Sequence, residues 1–114
     1  MSAAKYKLDN LVAIVDQNGF QQTGPTAEVL DLRPLAPRWQ SFGWFTQEIN
    51  GNEQSEVLAA YQQAAQTRGR PSAIIARTVK GYPIQHLLTK DPNHHGKPLT
   101  PDEAKKAIQE IMAG

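Results

Sequence analysis

Three short apolar runs constrain this chain more than any other feature: LVAIVD at 11–16, WFTQEI at 44–49 and SAIIAR at 72–77. Each is of strand rather than helix length, and the first and third are apolar almost throughout. A strand with one wet face alternates polar and apolar residues; one covered on both faces does not. Such runs belong to parallel sheets lying between helices. Parallel neighbours also need long crossovers, and the two spacers between these runs are long enough to hold a helix each. The expectation is an α/β fold, a parallel sheet with flanking helices.

The spacers carry the helix signals. Pro34 and Pro37 suit helix starts, Leu35, Trp39 and Phe42 share one face, and Gly43 supplies a stop. From Glu53 to Thr67 the pattern is again helical, with acids in the first turn and Arg68-Gly69 closing it. Val57, Leu58, Tyr61 and Ala65 form its expected core face. A last helix opens at TPDE, where Thr100 is the N-cap, Pro101 the first position and Glu103 the partner of a capping box. Ala104, Ala107, Ile108, Ile111 and Met112 then make one apolar stripe. The aromatics Trp39, Phe42, Trp44 and Tyr61 are spaced for core packing. With no repeat, low-complexity tract or linker, residues 1–114 read as a single domain.

Composition narrows the function. Twelve Lys and Arg balance eleven Asp and Glu, with no long block of either sign, which argues against nucleic-acid and membrane binding. There is no cysteine, so disulfides, thiolate zinc sites and cysteine nucleophiles are excluded. The opening MSAAKYKLDN is not a signal peptide, and no run approaches the ~20 apolar residues of a membrane span. The expected setting is soluble and cytoplasmic. P-loop, G-x-G-x-x-G, G-x-S-x-G and H-E-x-x-H patterns are all missing.

Two polar stretches carry possible chemistry. Asp16, Asn18 and the residues after them follow the first strand, at the strand end where ligands collect in open α/β sheets. An Asn side-chain oxygen and a nearby carbonyl suit magnesium, which prefers hard oxygens and accompanies phosphate. The same D-x-N-G pattern is also ordinary turn chemistry. The second stretch, Lys80 to Pro98, is a Gly- and Pro-interrupted loop holding all three histidines. His86, Asp91, His94 and His95 offer zinc-ligand types without zinc-site spacing. One histidine meeting a phosphate or substrate oxygen fits better. Lys80, just past the third strand, reads as an anion contact or as solvated surface.

Taken in order, KYKLDNLVAIVDQNG, FGW, INGNE, PSAIIARTVKG and HHGKPLTPDE resemble the transketolase family, most of all the amino-terminal subunit of split bacterial transketolases. The likeness runs from about Lys5 to Ile111. It implies a partial thiamine-diphosphate-binding fold, with thiamine diphosphate and bridging magnesium as cofactors. VDQNGF matches the closing half of that family's diphosphate signature, so Asn18 would give magnesium its side-chain oxygen and Phe20 its main-chain carbonyl. His95 in HHG would meet the cofactor diphosphate and the substrate, as a catalytic contact. The opening half, Gly-Asp-Gly, does not occur in these residues. Gln17, Gln22 and Asn52-Glu53 also depart from the family pattern, Gln22 at a position that often packs on the thiazolium ring.

The resemblance therefore implies the C-terminal portion of a diphosphate-binding domain. Its expected partners are the missing N-terminal part of that domain and a pyrimidine-binding C-terminal subunit, in an oligomer acting on sugar phosphates. The function so implied is part of a transketolase, moving a two-carbon ketol unit from a ketose to an aldose and inactive alone. The alternative is a non-catalytic α/β structural or assembly module without cofactor.

Overall fold

SAIIAR, the most uniformly apolar run, becomes the central strand. The computed structural model describes residues 1–21, 24–84 and 96–113. Its strands are β1 (Val12–Gln17), β2 (Phe20–Gln21), β3 (Gly24–Pro25), β4 (Phe45–Asn50) and β5 (Ser72–Arg77). Its helices are α1 (Ser2–Lys5), α2 (Thr26–Val29), α3 (Leu35–Ser41), α4 (Gln54–Gln66) and α5 (Pro101–Ala113). The main sheet has the order β1–β5–β4 with both pairings parallel, Ile14 and Gln47 flanking Ile74. Strands β2 and β3 form a two-residue antiparallel hairpin beside it. The three expected strands are thus present, within a residue of their apolar runs, in a parallel α/β arrangement.

The core lies where α4 crosses from β4 to β5. Ile74 and Ala76 pack against Ile49 of β4 and against Val57, Ala60 and Ala64 of α4. Alanines one turn apart let the helix axis come close to the sheet, and Gln47 pins it by donating Nε2 to the Ala60 carbonyl at 3.1 Å. Residues alternate across a strand, so Ala73 and Ile75 serve the opposite face, and both are wholly buried.

The helix ends follow their chemistry. Thr100 donates its N–H to Glu103 Oε2 at 3.0 Å, and Glu103 returns its own N–H to Thr100 Oγ1 at 3.3 Å, the expected capping box. Glu53 caps α4 by accepting from Ser55 N–H at 3.3 Å. Gly43 ends α3 as expected, with φ +86°.

Three packing expectations are corrected. First, β1 is not covered on both faces. It is an edge strand, and on the α4 side Val12 and Ile14 remain 36% and 53% exposed because α4 stands over β4 and β5. Second, α4 turns the small Ala60 and Ala64 to the sheet, leaving Leu58, Tyr61 and Ala65 exposed. The apolar stripe is there, but close approach favours its small edge. Third, α5 buries only Ala107, and Ile108, Ile111 and Met112 are exposed. Among the aromatics, Trp44 is buried and meets Trp39 edge-to-face at 4.8 Å, whereas Phe42 and Tyr61 are about half exposed. The radius of gyration, 17.0 Å, exceeds the roughly 13 Å of a compact domain this long, in keeping with these uncovered surfaces.

At the start of β5, the Ser72 hydroxyl is buried with no hydrogen-bond partner. A buried unsatisfied hydroxyl costs about 1–3 kcal/mol, so Ser72→Ala is expected to stabilise the chain by about 1 kcal/mol. A urea titration checks this; a lower midpoint for the variant would show that the hydroxyl contributes rather than costs.

Candidate functional site

Three strand ends meet at one side of the sheet. Asn18 follows β1, Gly51 follows β4 and Thr78 follows β5. Main-chain bonds tie them: Thr78 N–H to the Gln17 carbonyl at 3.5 Å, and Gly51 N–H to the Arg77 carbonyl at 2.8 Å. Carboxyl ends of strands are where an open α/β sheet places ligands, because its crossovers leave a crevice there.

Here the turn after β1 is held by side chains. Asn18 Oδ1 accepts from Phe20 N–H at 2.9 Å, and Asn18 Nδ2 donates to Asp16 Oδ2 at 3.3 Å. The Thr78 hydroxyl donates to Asp16 Oδ1. Gly19 has φ +81°, and its carbonyl accepts from both the N–H of Thr26 at 2.9 Å and the Thr26 hydroxyl at 3.2 Å. Phe20 lies opposite Pro25, which has no N–H, so the Phe20 carbonyl takes no bond from its cross-strand partner.

This turn closes one wall of a cavity of about 250 Å³. Val15, Leu30, Leu32 and Leu35 supply apolar lining, while Asn18 and Gln21 are polar. Gln21 steadies the far wall by donating Nε2 to the Leu30 carbonyl at 3.0 Å. Arg38 does the same for Leu32, from Nε to its carbonyl at 2.8 Å. Asp31 and Arg33 form a two-pronged pair at 2.8 and 2.7 Å. Hydrogen bonds from the Arg33 side chain, then from its N–H, hold the Asp31 carboxyl well below the usual carboxylate range. A lowered folded pKa contributes above the ordinary carboxylate pKa and is lost only as pH falls through strong acid. Both groups are solvent-exposed, so salt weakens the pair. A second hollow, about 440 Å³, runs between β4 and α4 but lies along the flank of the sheet.

The donor set suits a hard cation. Asn18 Oδ1 has a second acceptor position beyond its bond to Phe20, and the Phe20 carbonyl is a second neutral oxygen nearby in sequence. Two neutral oxygens match an ion that keeps phosphate and water as its other ligands. Among the described residues no group of three His, Asp or Glu could hold a metal. His95, the zinc-type set His86, Asp91 and His94, and Gln22 all lie outside the described residues. Sequence reasoning singled out Asn18 and Phe20 and missed Thr78, Gly51 and the Asp31–Arg33 pair. The signal for Thr78 was its place, the first polar residue past SAIIA-R, as Asn18 is past LVAIV-DQ.

Comparison with known proteins gives a consistent picture. A family described as transketolase, thiamine diphosphate binding domain, matches residues 1–112. One of the two subunits of an apulose-4-phosphate transketolase from Phocaeicola vulgatus is 36% identical over 111 residues, covering 97% of this chain and 39% of the relative. A 6-deoxy-6-sulfo-D-fructose transketolase subunit from a Clostridium species is 37% identical, covering 97% of this chain and 40% of the relative. This chain thus spans about two fifths of the length of these relatives. The crystal structure of a transketolase from Campylobacter jejuni superposes with a TM-score of 0.87 at 28% identity, over 97% of this chain and 17% of that one. No described helix is long and apolar enough to cross a membrane.

Proposed function

From the premise that this chain belongs to the transketolase family, through its thiamine diphosphate binding domain, we propose that it is one portion of a split transketolase. Its role is to present Asn18 Oδ1 and the Phe20 carbonyl to a magnesium ion that bridges to the cofactor diphosphate. The observation carrying this reading is the turn after β1, where Asp16 and the Phe20 N–H fix the Asn18 amide and Pro25 leaves the Phe20 carbonyl without a ladder bond. When bound, thiamine diphosphate supplies the carbanion-stabilising chemistry that lets a two-carbon ketol unit leave a ketose for an aldose. The protein's share is to orient the diphosphate, exclude water with the apolar lining around Val15 and Leu35, and move protons. His95 is assigned the polar, acid–base contact to diphosphate and substrate, a role matched to imidazole titration near neutrality.

Completion by partner chains is part of the reading. The outer edge of β1 has no strand beside it among the described residues. Between β1 and α4 lies a cavity of about 220 Å³ lined by Ile14, Val57, Tyr61 and Ile74. An open strand edge and an apolar hollow are surfaces that proteins cover. The relatives are themselves named as subunits, which supports a partner that contributes the remaining diphosphate-domain strands and a pyrimidine-binding subunit. Sugar phosphates are the substrate class, and the cytoplasm is the compartment assigned.

The isolated chain lacks a carboxylate from Gly-Asp-Gly, so it is expected to show no saturable heat with magnesium and thiamine diphosphate. Assembly with the partner chains is expected to restore binding and ketol transfer. In that assembly Asn18→Ala should raise the magnesium concentration for half-maximal cofactor binding by about tenfold or more, as loss of roughly 1.4 kcal/mol or more implies. An unchanged magnesium requirement would remove Asn18 from the ligand set. An assembly that never binds cofactor would favour the non-catalytic module.

A further inference from the structure

We propose that Asp16 is a positioning residue, which acts with Thr78 to set the rotation of the Asn18 side-chain amide so that its oxygen, not its nitrogen, is offered to the cation. This rests on the reading of Asn18 as a magnesium ligand and adds a residue to it.

An Asn amide is nearly symmetric in shape, and a half-turn about its last bond exchanges oxygen for NH2. Only its hydrogen-bond partners distinguish the two rotations. Here the partners on the two sides are of opposite kind. Asp16 offers a carboxylate, which only accepts, and it takes Nδ2 at 3.3 Å. Phe20 offers an N–H, which only donates, and it gives to Oδ1 at 2.9 Å. The reverse rotation would press the amide oxygen on a carboxylate and the NH2 on an N–H. It would also turn two donors toward the cation position.

Asp16 is itself held from elsewhere in the fold. The Thr78 hydroxyl, arriving from the end of β5, donates to Oδ1, so the carboxylate keeps Oδ2 for Asn18. Strand pairing sets this up, since Asp16 of β1 lies in register with Ala76 of β5, two residues before Thr78. Both carboxylate oxygens are engaged within the protein, which assigns Asp16 to orienting Asn18 rather than to direct ligation. Groups that orient a ligand in this way typically alter metal affinity about 10–100-fold when removed.

The test uses the chain assembled with its partner subunits, magnesium as titrant and calorimetric binding of thiamine diphosphate as readout. Asp16→Ala is expected to raise the half-saturating magnesium concentration about 10–100-fold. Asp16→Asn keeps an oxygen that can accept from Asn18 Nδ2, and the Thr78 hydroxyl can turn to accept, so this variant should recover most of the affinity. Adding Asp16→Ala to Asn18→Ala should cost little more than Asn18→Ala alone. Thr78→Val, which leaves the Asp16 side chain in place, is expected to give a smaller shift and serves if Asp16→Ala does not fold. Asp16→Asn as impaired as Asp16→Ala would mean direct ligation and would overturn the proposal, as would Asp16→Ala and Thr78→Val both at the wild-type requirement. If Asn18→Ala itself changes nothing, the ligand reading fails instead, and the two failures are distinct.

Discussion

Ile75→Ala is expected to lower the melting temperature by on the order of 10 °C or more, and to leave the isolated chain partly unfolded under ordinary conditions. Ile75 is wholly buried in the middle strand of three, on the face opposite α4. Truncating a buried isoleucine costs about 2–5 kcal/mol, from lost transfer energy plus the cavity left behind. A domain of ordinary stability has about 5–15 kcal/mol in all, and this one has uncovered faces that contribute nothing to that total. Ile14 is the natural control. It is the same residue type on neighbouring β1, yet 53% exposed, so Ile14→Ala should be much milder in the isolated chain. In the assembly the order of effects should narrow, because a partner laid on β1 would bury Ile14. Thermal melts of both variants, alone and assembled, check this. Equal shifts in the isolated chain would mean that the β1 face is already covered.

The second large effect is expected from Gly51→Ala. A Cβ built on Gly51 would stand 2.5 Å from Thr78 Cγ2 and 2.9 Å from Ala76 Cβ, closer than carbon atoms approach without something moving. Overpacking of this kind costs about 1–3 kcal/mol. Here the displaced side chain matters as much as the energy, because Thr78 holds Asp16 and Asp16 holds Asn18. Gly51→Ala is therefore expected to lower the melting temperature by several degrees, and to raise the magnesium requirement of the assembly as well. A melting temperature at the wild-type value would show that the turn after β4 relaxes away from Thr78 freely.

The sequence was a good guide wherever local chemistry decides the outcome. LVAIVD, WFTQEI and SAIIAR read directly as strands, and their long spacers required parallel pairing. Thr100 and Glu103 cap one another with no help from the rest of the fold, so four residues sufficed to place the start of α5. What remained hidden depends on neighbours. The apolar run of β1 says that both faces suit a dry environment, not that this chain supplies the cover. The stripe on α4 contains both Ala60, Ala64 and Leu58, Tyr61, and only the distance to the sheet selects the alanines. At the site, Asn18 and Phe20 were legible through a short motif after a strand. Thr78 was not, since its contact with Asp16 joins residues 62 apart along the chain. The hydrogen bond by which Asn52 Oδ1 accepts Val79 N–H, at 2.8 Å, was equally invisible from either residue alone.

That separation orders assembly in time. Strand β4, helix α4 and β5 close over a short stretch of chain, their ends joined by a bond spanning 27 residues, whereas β1 docks only by closing more than twice that span. Longer closures cost more entropy and come later when nothing offsets them. The hairpin-like half can thus persist while β1 is still loose, and at that stage Asp16 has no Thr78 to meet. The oxygen-bearing bend is a late product of folding, and fraying from the β1 side erases it first, well before the remainder of the sheet comes apart.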